Sequence, residues 1–117
     1  MQNIAGHEAS CFLFRFILKE NAIDYVESEP IAEDMYPDIA DRIFPLAKAC
    51  AKTLSHYRHL CETNTIFDGY ILSDGQLEVM LSPGLGIKIP DSEKQILFDN
   101  GCSIGKLLID VMERRSK

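Results

Sequence analysis

Residues 65–82 read TIFDGYILSDGQLEVMLS, and the class of fold turns on this stretch. Asp74-Gly75 separates Tyr70-Ile71-Leu72 from Leu77-Glu78-Val79-Met80-Leu81, the short-range signature of a β-hairpin. A type I′ turn needs positive φ at both central residues, which glycine accepts freely and aspartate tolerates. Such a two-residue turn pairs Leu72 with Leu77 and Tyr70 with Val79 on one face, and sets Ile71 against Glu78 on the other. Beyond it, Ser82-Pro83-Gly84-Leu85-Gly86 reads as a loop and Ile87-Lys88-Ile89 as a short third strand stopped by Pro90.

Upstream of the hairpin the hydrophobic period changes from two to 3.6. From Pro37 to Glu62, the residues Ile39, Ile43, Leu46, Ala47, Cys50, Leu54, Tyr57 and Cys61 fall within one arc at helical pitch. Asp41, Lys48, Lys52, Ser55, His59 and Glu62 collect opposite. The phase survives Pro45, which predicts one long helix kinked there with the proline toward solvent. Pro37 suits a first helical position, and Asp38 and Asp41 complement the positive helix end.

The flanks are less decided. His7 to Asn21 is expected to be a helix with Glu8, Arg15 and Lys19 on one stripe. The alternation of Phe12, Phe14, Phe16 and Leu18 favours a strand instead, but a regular strand puts Arg15 on the face of Leu13 and Ile17. Ile23 to Tyr36 reads as an acidic stretch broken by Pro30, with a short helical turn from Ser28 to Met35 or an ordered loop. Asp91 to Asn100 fits either a short helix stopped by Gly101 or a fourth strand over 95–98. Ser103 to Arg115 reads as a last helix, capped by Ser103, with Ile104, Leu107, Leu108 and Val111 on its apolar stripe.

Helices and strands that come in runs without alternating give an α+β domain over residues 1–117. Its small antiparallel sheet, the hairpin plus one or two strands, is packed against the long kinked helix and flanking N- and C-terminal helices. No apolar run approaches the roughly 18 residues that cross a bilayer, and the first charge, Glu8, is not the basic start of a signal peptide. A cytoplasmic protein is expected. Cys11, Cys50, Cys61 and Cys102 form no Cys-x-x-Cys pair and sit among apolar neighbours, as reduced structural cysteines do.

Charge is the most informative feature for function. Between Lys19 and Arg42 lie Glu20, Asp24, Glu27, Glu29, Glu33, Asp34, Asp38 and Asp41, without a base among them. The remainder carries ten acids against twelve bases, so the net charge of −6 belongs to this window. A one-signed cluster attracts cations or a basic surface and repels phosphate. Direct nucleic-acid binding is disfavoured, because the bases are scattered apart from Arg114, Arg115 and Lys117.

Other chemistry lacks partners. His56 and His59 have a metal-compatible spacing but no third ligand beyond a speculative His7 or Glu62. Cys50 and Cys61 lie on the buried arc, which disfavours the thiolate a nucleophile requires. Gly84-Leu85-Gly86 lacks the lysine and third glycine of a phosphate loop and reads as a turn. The acidic window contains no glycine for a calcium loop. No catalytic, metal or cofactor site is therefore expected.

The leading expectation is a non-catalytic binding protein of inhibitor, immunity, chaperone or adaptor type. It would offer Asp24, Glu27, Glu29, Glu33, Asp34 and Asp38 to a basic protein partner, with a homodimer as the other assembly. The alternatives are a small-ligand sensor or carrier, with its pocket between the sheet and the Tyr57 side of the long helix, and an enzyme with dispersed catalytic residues.

Overall fold

The structure, a computed structural model, describes residues 11–19, 22–34, 37–57, 59 and 65–115. Its central strand is the segment that the sequence assigned to a helix: Cys11–Leu18 is β1. Aromatic and β-branched residues favour a pleated surface buried on one side, and an irregularity removes the objection from Arg15. Phe12 pairs with Tyr70 but Phe14 with Gly69, so Leu13 is an extra, bulged residue. Leu13 and Phe14 are both fully buried. Phe12 joins Arg15 on the outer face, where the guanidinium lies 4.4 Å from its ring centroid. Asp68 answers the charge at 3.1 Å, and the Tyr70 hydroxyl donates to the same carboxylate at 3.0 Å.

Part of the acidic stretch is also strand. Ile23–Glu27 forms β2, antiparallel to β1, with Tyr25 opposite Phe16 and Glu27 opposite Phe14. Glu29–Asp34 forms α1, the short helix expected there. The Ser28 carbonyl accepts from the N–H groups of Ile31 and Ala32 at 3.0 Å, and Pro30 sits harmlessly in the first turn.

Pro37–Tyr57 forms α2 with Pro45 inside it. Ile39, Ile43, Cys50 and Leu54 are buried, Leu46 and Tyr57 are half-buried, and Lys48, Lys52 and Pro45 are exposed. That is the expected phase. The helix ends at Tyr57, short of the expected Glu62; Cys61 and Glu62 lie outside the described residues.

Thr65–Ile71 (β3) and Leu77–Leu81 (β4) form the hairpin, and the four-stranded antiparallel sheet runs β2-β1-β3-β4. The turn differs from the expected one. The Gly75 N–H donates to the Leu72 carbonyl and the Leu72 N–H to the Gln76 carbonyl, each at 2.8 Å, closing a three-residue loop. Positive φ occurs at Gly75 alone (+89°) among the described residues. Asp74 thereby avoids the left-handed region, which costs an L-residue roughly 1–2 kcal/mol, and accepts the Gln76 N–H at 3.0 Å. Register moves by one: Ile71 faces Leu77, Gly69 faces Val79, and Phe67 faces Leu81. This change puts apolar residues opposite one another and sets Tyr70 against Glu78.

The expected third strand is helix instead. Pro83–Lys88 forms α3, so Gly84-Leu85-Gly86 is helical rather than a turn between strands. Leu85 and Ile89, four apart, are buried while Ile87 is 86% exposed, a helical and not an alternating pattern.

Asp91–Arg115 is one continuous helix, α4. Gly101 does not stop it and Ser103 does not cap it; the Ser103 hydroxyl donates back to the Asp99 carbonyl at 3.1 Å. The glycines serve packing. A Cβ on Gly101 would lie 2.6 Å from Phe67 Cζ, and one on Gly105 would lie 2.6 Å from Leu77 Cδ1. With Leu97, Ile104, Leu108 and Val111 fully buried, α4 lies tight on β3 and β4. The fold is α+β, with α2 and α4 over one face of the sheet. The N-terminal position expected for a helix belongs, over residues 11–18, to a strand.

Two substitutions test this packing. Alanine gains about 1 kcal/mol over glycine in a helix interior, yet Gly101→Ala should lose about 1–3 kcal/mol because the methyl meets a core aromatic ring. Gly84→Ala, with nothing within 4 Å of its Cβ, should be neutral or stabilising. Equal effects in urea unfolding would disprove the close approach. Leu54→Ala should cost about 2–5 kcal/mol; a loss under about 1 kcal/mol would misplace α2.

Candidate functional site

The acidic residues do not converge on one centre. Asp24 points from the outer face of β2 and pairs with Lys19 at 2.7 Å. Glu27 lies on the inner face, half-buried, and accepts the Tyr25 hydroxyl at 2.7 Å. Glu29 and Glu33, one helical turn apart on α1, are exposed, as are Asp38 and Asp41 at the start of α2. Asp34 closes α1, and its side chain lies outside what is described, as does Glu20. The window therefore divides into two carboxylates engaged within the sheet and four left in solvent.

Beside Glu27 is a feature the charge pattern conceals. Phe16, Ile23 and Tyr25 from the inner face of the sheet meet Phe44, Ala47, Lys48 and Ala51 of α2 around a cavity of about 270 Å³. Its wall is built by alternation, since Ile23 and Tyr25 lie two apart on β2, and by helical spacing, since Ala47 and Ala51 lie four apart on α2. Alanines leave the room that larger residues would fill. Tyr25 is fixed against Phe16, with ring centroids 5.1 Å apart, and against Phe14 at 6.2 Å. Phe44 stands 64% exposed at the lip, with the Lys48 ammonium 5.3 Å from its ring centroid. Part of the signal for this pocket is present in the sequence: Phe44 is an aromatic off the apolar arc of α2, and Ile23-Asp24-Tyr25 alternates before Val26-Glu27 breaks the pattern.

Burial raises the Glu27 carboxyl above its ordinary value, although the Tyr25 hydrogen bond acts to lower it. Burial, then the neighbouring Glu27 charge, push the Tyr25 hydroxyl far upward, so it remains a neutral donor. A second, shallower groove of about 580 Å³ lies between α2 and α4, lined by Arg42, Leu46, Lys106 and Asp110 among others. At the far end of α2 the Tyr57 hydroxyl donates to Glu93 of α4 at 2.7 Å, so the cavity between sheet and α2 is lined by Phe44, Ala47, Lys48 and Ala51 of that helix and not by Tyr57.

Cys50 is fully buried and its thiol is pushed up to about 12 by desolvation, so it does not ionise readily. Cys102 is free and partly exposed. His56 is exposed and 4.0 Å from Glu93; His59, also exposed, lies beyond the end of α2. Among the described residues no three His, Cys, Asp or Glu side chains gather as metal ligands, and no helix is long and apolar enough to cross a membrane.

No family model, curated protein or solved structure matches the chain.

The Glu27 environment has a measurable consequence. A carboxyl raised in the folded state holds its proton there more tightly than in the unfolded chain. Folding is therefore favoured below the ordinary carboxylate range, and that contribution is lost as pH rises through the folded-state value. Glu27→Gln retains an acceptor for Tyr25 and carries no charge. It should flatten the decline above the ordinary carboxylate range and unfold at a higher temperature at pH 7. A lower midpoint at pH 7 would show that the ionised carboxylate stabilises the sheet.

Proposed function

We propose that this chain is a non-catalytic protein-binding module that presents an acidic surface to a basic segment of a partner. The observation that carries the reading is the disposition of Glu29, Glu33, Asp38 and Asp41: all four are exposed, and none has an ion-pair partner among the described residues. Carboxylates held on two successive helices in one stretch of chain make a local negative field. Such a field accelerates encounter with a basic surface more than it adds affinity.

The test is the double reversal Glu29→Lys with Glu33→Lys. A partner recovered from native lysate and purified should associate with this variant at least about tenfold more slowly at about 50 mM salt. The two rates should converge toward about 500 mM as screening shortens to a few ångströms. Unfolding free energy should move by under about 0.5 kcal/mol, because exposed charges add little stability. Equal rates at every salt concentration would make the segment an ordinary solvated face and overturn the proposal.

A further inference from the structure

Among the described residues β2 is an edge of the sheet, with β1 its one neighbour in the strand order. In an antiparallel pair alternate backbone N–H and C=O groups point away from the partner strand, so Ile23–Glu27 offers a row of them on its free side. Sheets commonly blunt such an edge; here Val26 is exposed and the inner face beside the edge is hollow. Three features then line up along β2. Tyr25 and Ile23 wall an apolar cavity, and Glu27 occupies the next inward position after Tyr25. Glu29 and Glu33 follow directly in α1.

Building on the acidic-surface reading, we propose that a basic peptide of the partner adds as a strand to β2, placing an apolar side chain in the Tyr25–Phe44 pocket and, two residues away, a lysine or arginine beside Glu27. The spacing follows from the pleat: side chains on one face of a strand recur every second residue, so positions facing Tyr25 and Glu27 are two apart. The cavity, about 270 Å³, lies at the small end of ligand pockets and has room for one large apolar side chain. Charge selects the flank. Glu27 is a half-buried carboxylate whose one hydrogen bond among the described residues comes from Tyr25. Burial has raised its pKa, and a cation beside it would bring that value down. A second copy of this chain is a poor occupant, because it brings its own acidic β2–α1 segment to the same edge.

Synthetic nine-residue peptides provide the probe: one with leucine and lysine two positions apart, one with them adjacent, and one with glutamate for lysine. The first should bind at least about tenfold more tightly than either other. It should protect amide protons of Ile23–Glu27 from exchange. Ala47→Leu, which fills the pocket, and Glu27→Gln should each weaken it at least about fivefold while both variants keep the wild-type amide spectrum elsewhere. Salt-dependent binding of all basic peptides alike, without protection of β2 and with Ala47→Leu indistinguishable from wild type, overturns strand addition and leaves the acidic-surface reading standing. Failure of the Glu29–Glu33 reversal to alter partner association removes that broader reading separately. A concentration-dependent dimer that Ala47→Leu abolishes assigns the groove to a second copy and overturns the peptide as its occupant.

Discussion

Phe14, Phe16 and Phe67 stack on the inner face of the sheet with ring centroids 5.8 to 6.0 Å apart, and they fit there because glycine lies beneath and above them. Gly69, opposite Phe14 in the next strand, leaves its space to that ring. Gly101 lets α4 descend onto Phe67, and Gly105 does the same over Leu77. The arrangement is steric and mutual. A side chain at any of the three glycines displaces a ring or lifts a helix, so the distance between layers is set by these contacts. The separation in turn decides where the layers fail to meet. Away from α4, the inner face of β2 meets Ala47 and Ala51 of α2, with Phe44 and Lys48 at the lip, and the pocket opens there.

The bulge at Leu13 is the second determinant. Without it β1 would alternate strictly, and the side chain of Arg15 would share a face with Leu13. With it, four large apolar residues (Leu13, Phe14, Phe16 and Leu18) face the core, and Phe12 moves outward to support the Arg15 guanidinium. The outer face acquires a polar cluster of Arg15, Asp68 and Tyr70 in place of an unbroken apolar surface. Burial and the Asp68 charge both raise the Tyr70 hydroxyl, which keeps it a donor within the cluster.

How much of this was legible in the sequence depends on whether local pattern and tertiary context agree. They agree in α2, where an amphipathic stripe of 3.6 periodicity is buried as read, and in the hairpin, where Gly75 marks the turn. They disagree in β1, where a bulge breaks the alternation that identifies a strand, and in 91–115, where Gly101, which reads as a helix stop, is with Gly105 a site of close approach. Ile87-Lys88-Ile89 alternates by chance over three residues, too short a run to outweigh Pro83 at a helix start. In the candidate site, the acids were conspicuous by composition, but their division into engaged and solvent-facing groups requires knowing that 23–27 is a strand. Once it is, parity alone sends Asp24 outward and Glu27 inward.

That parity bears on recognition. An edge strand with a hydrophobic inner face attracts any apolar strand, and an inward charge is one way to discourage such pairing. Glu27 does this: an apolar or acidic strand laid along β2 would bury the carboxylate further or set like charges together. A strand carrying a cation at the corresponding position escapes the penalty. Under the proposed strand addition, discrimination would arise from what the edge refuses as much as from what it attracts. In the proposed reading, the exposed carboxylates of α1 and early α2 would act earlier, at the range of the screened field, and favour a basic partner before any side chain reaches the pocket. Long-range charge and short-range parity would then select for the same chemistry at two distances, which is what would join the half-buried Glu27 to the solvent-facing Glu29 and Glu33.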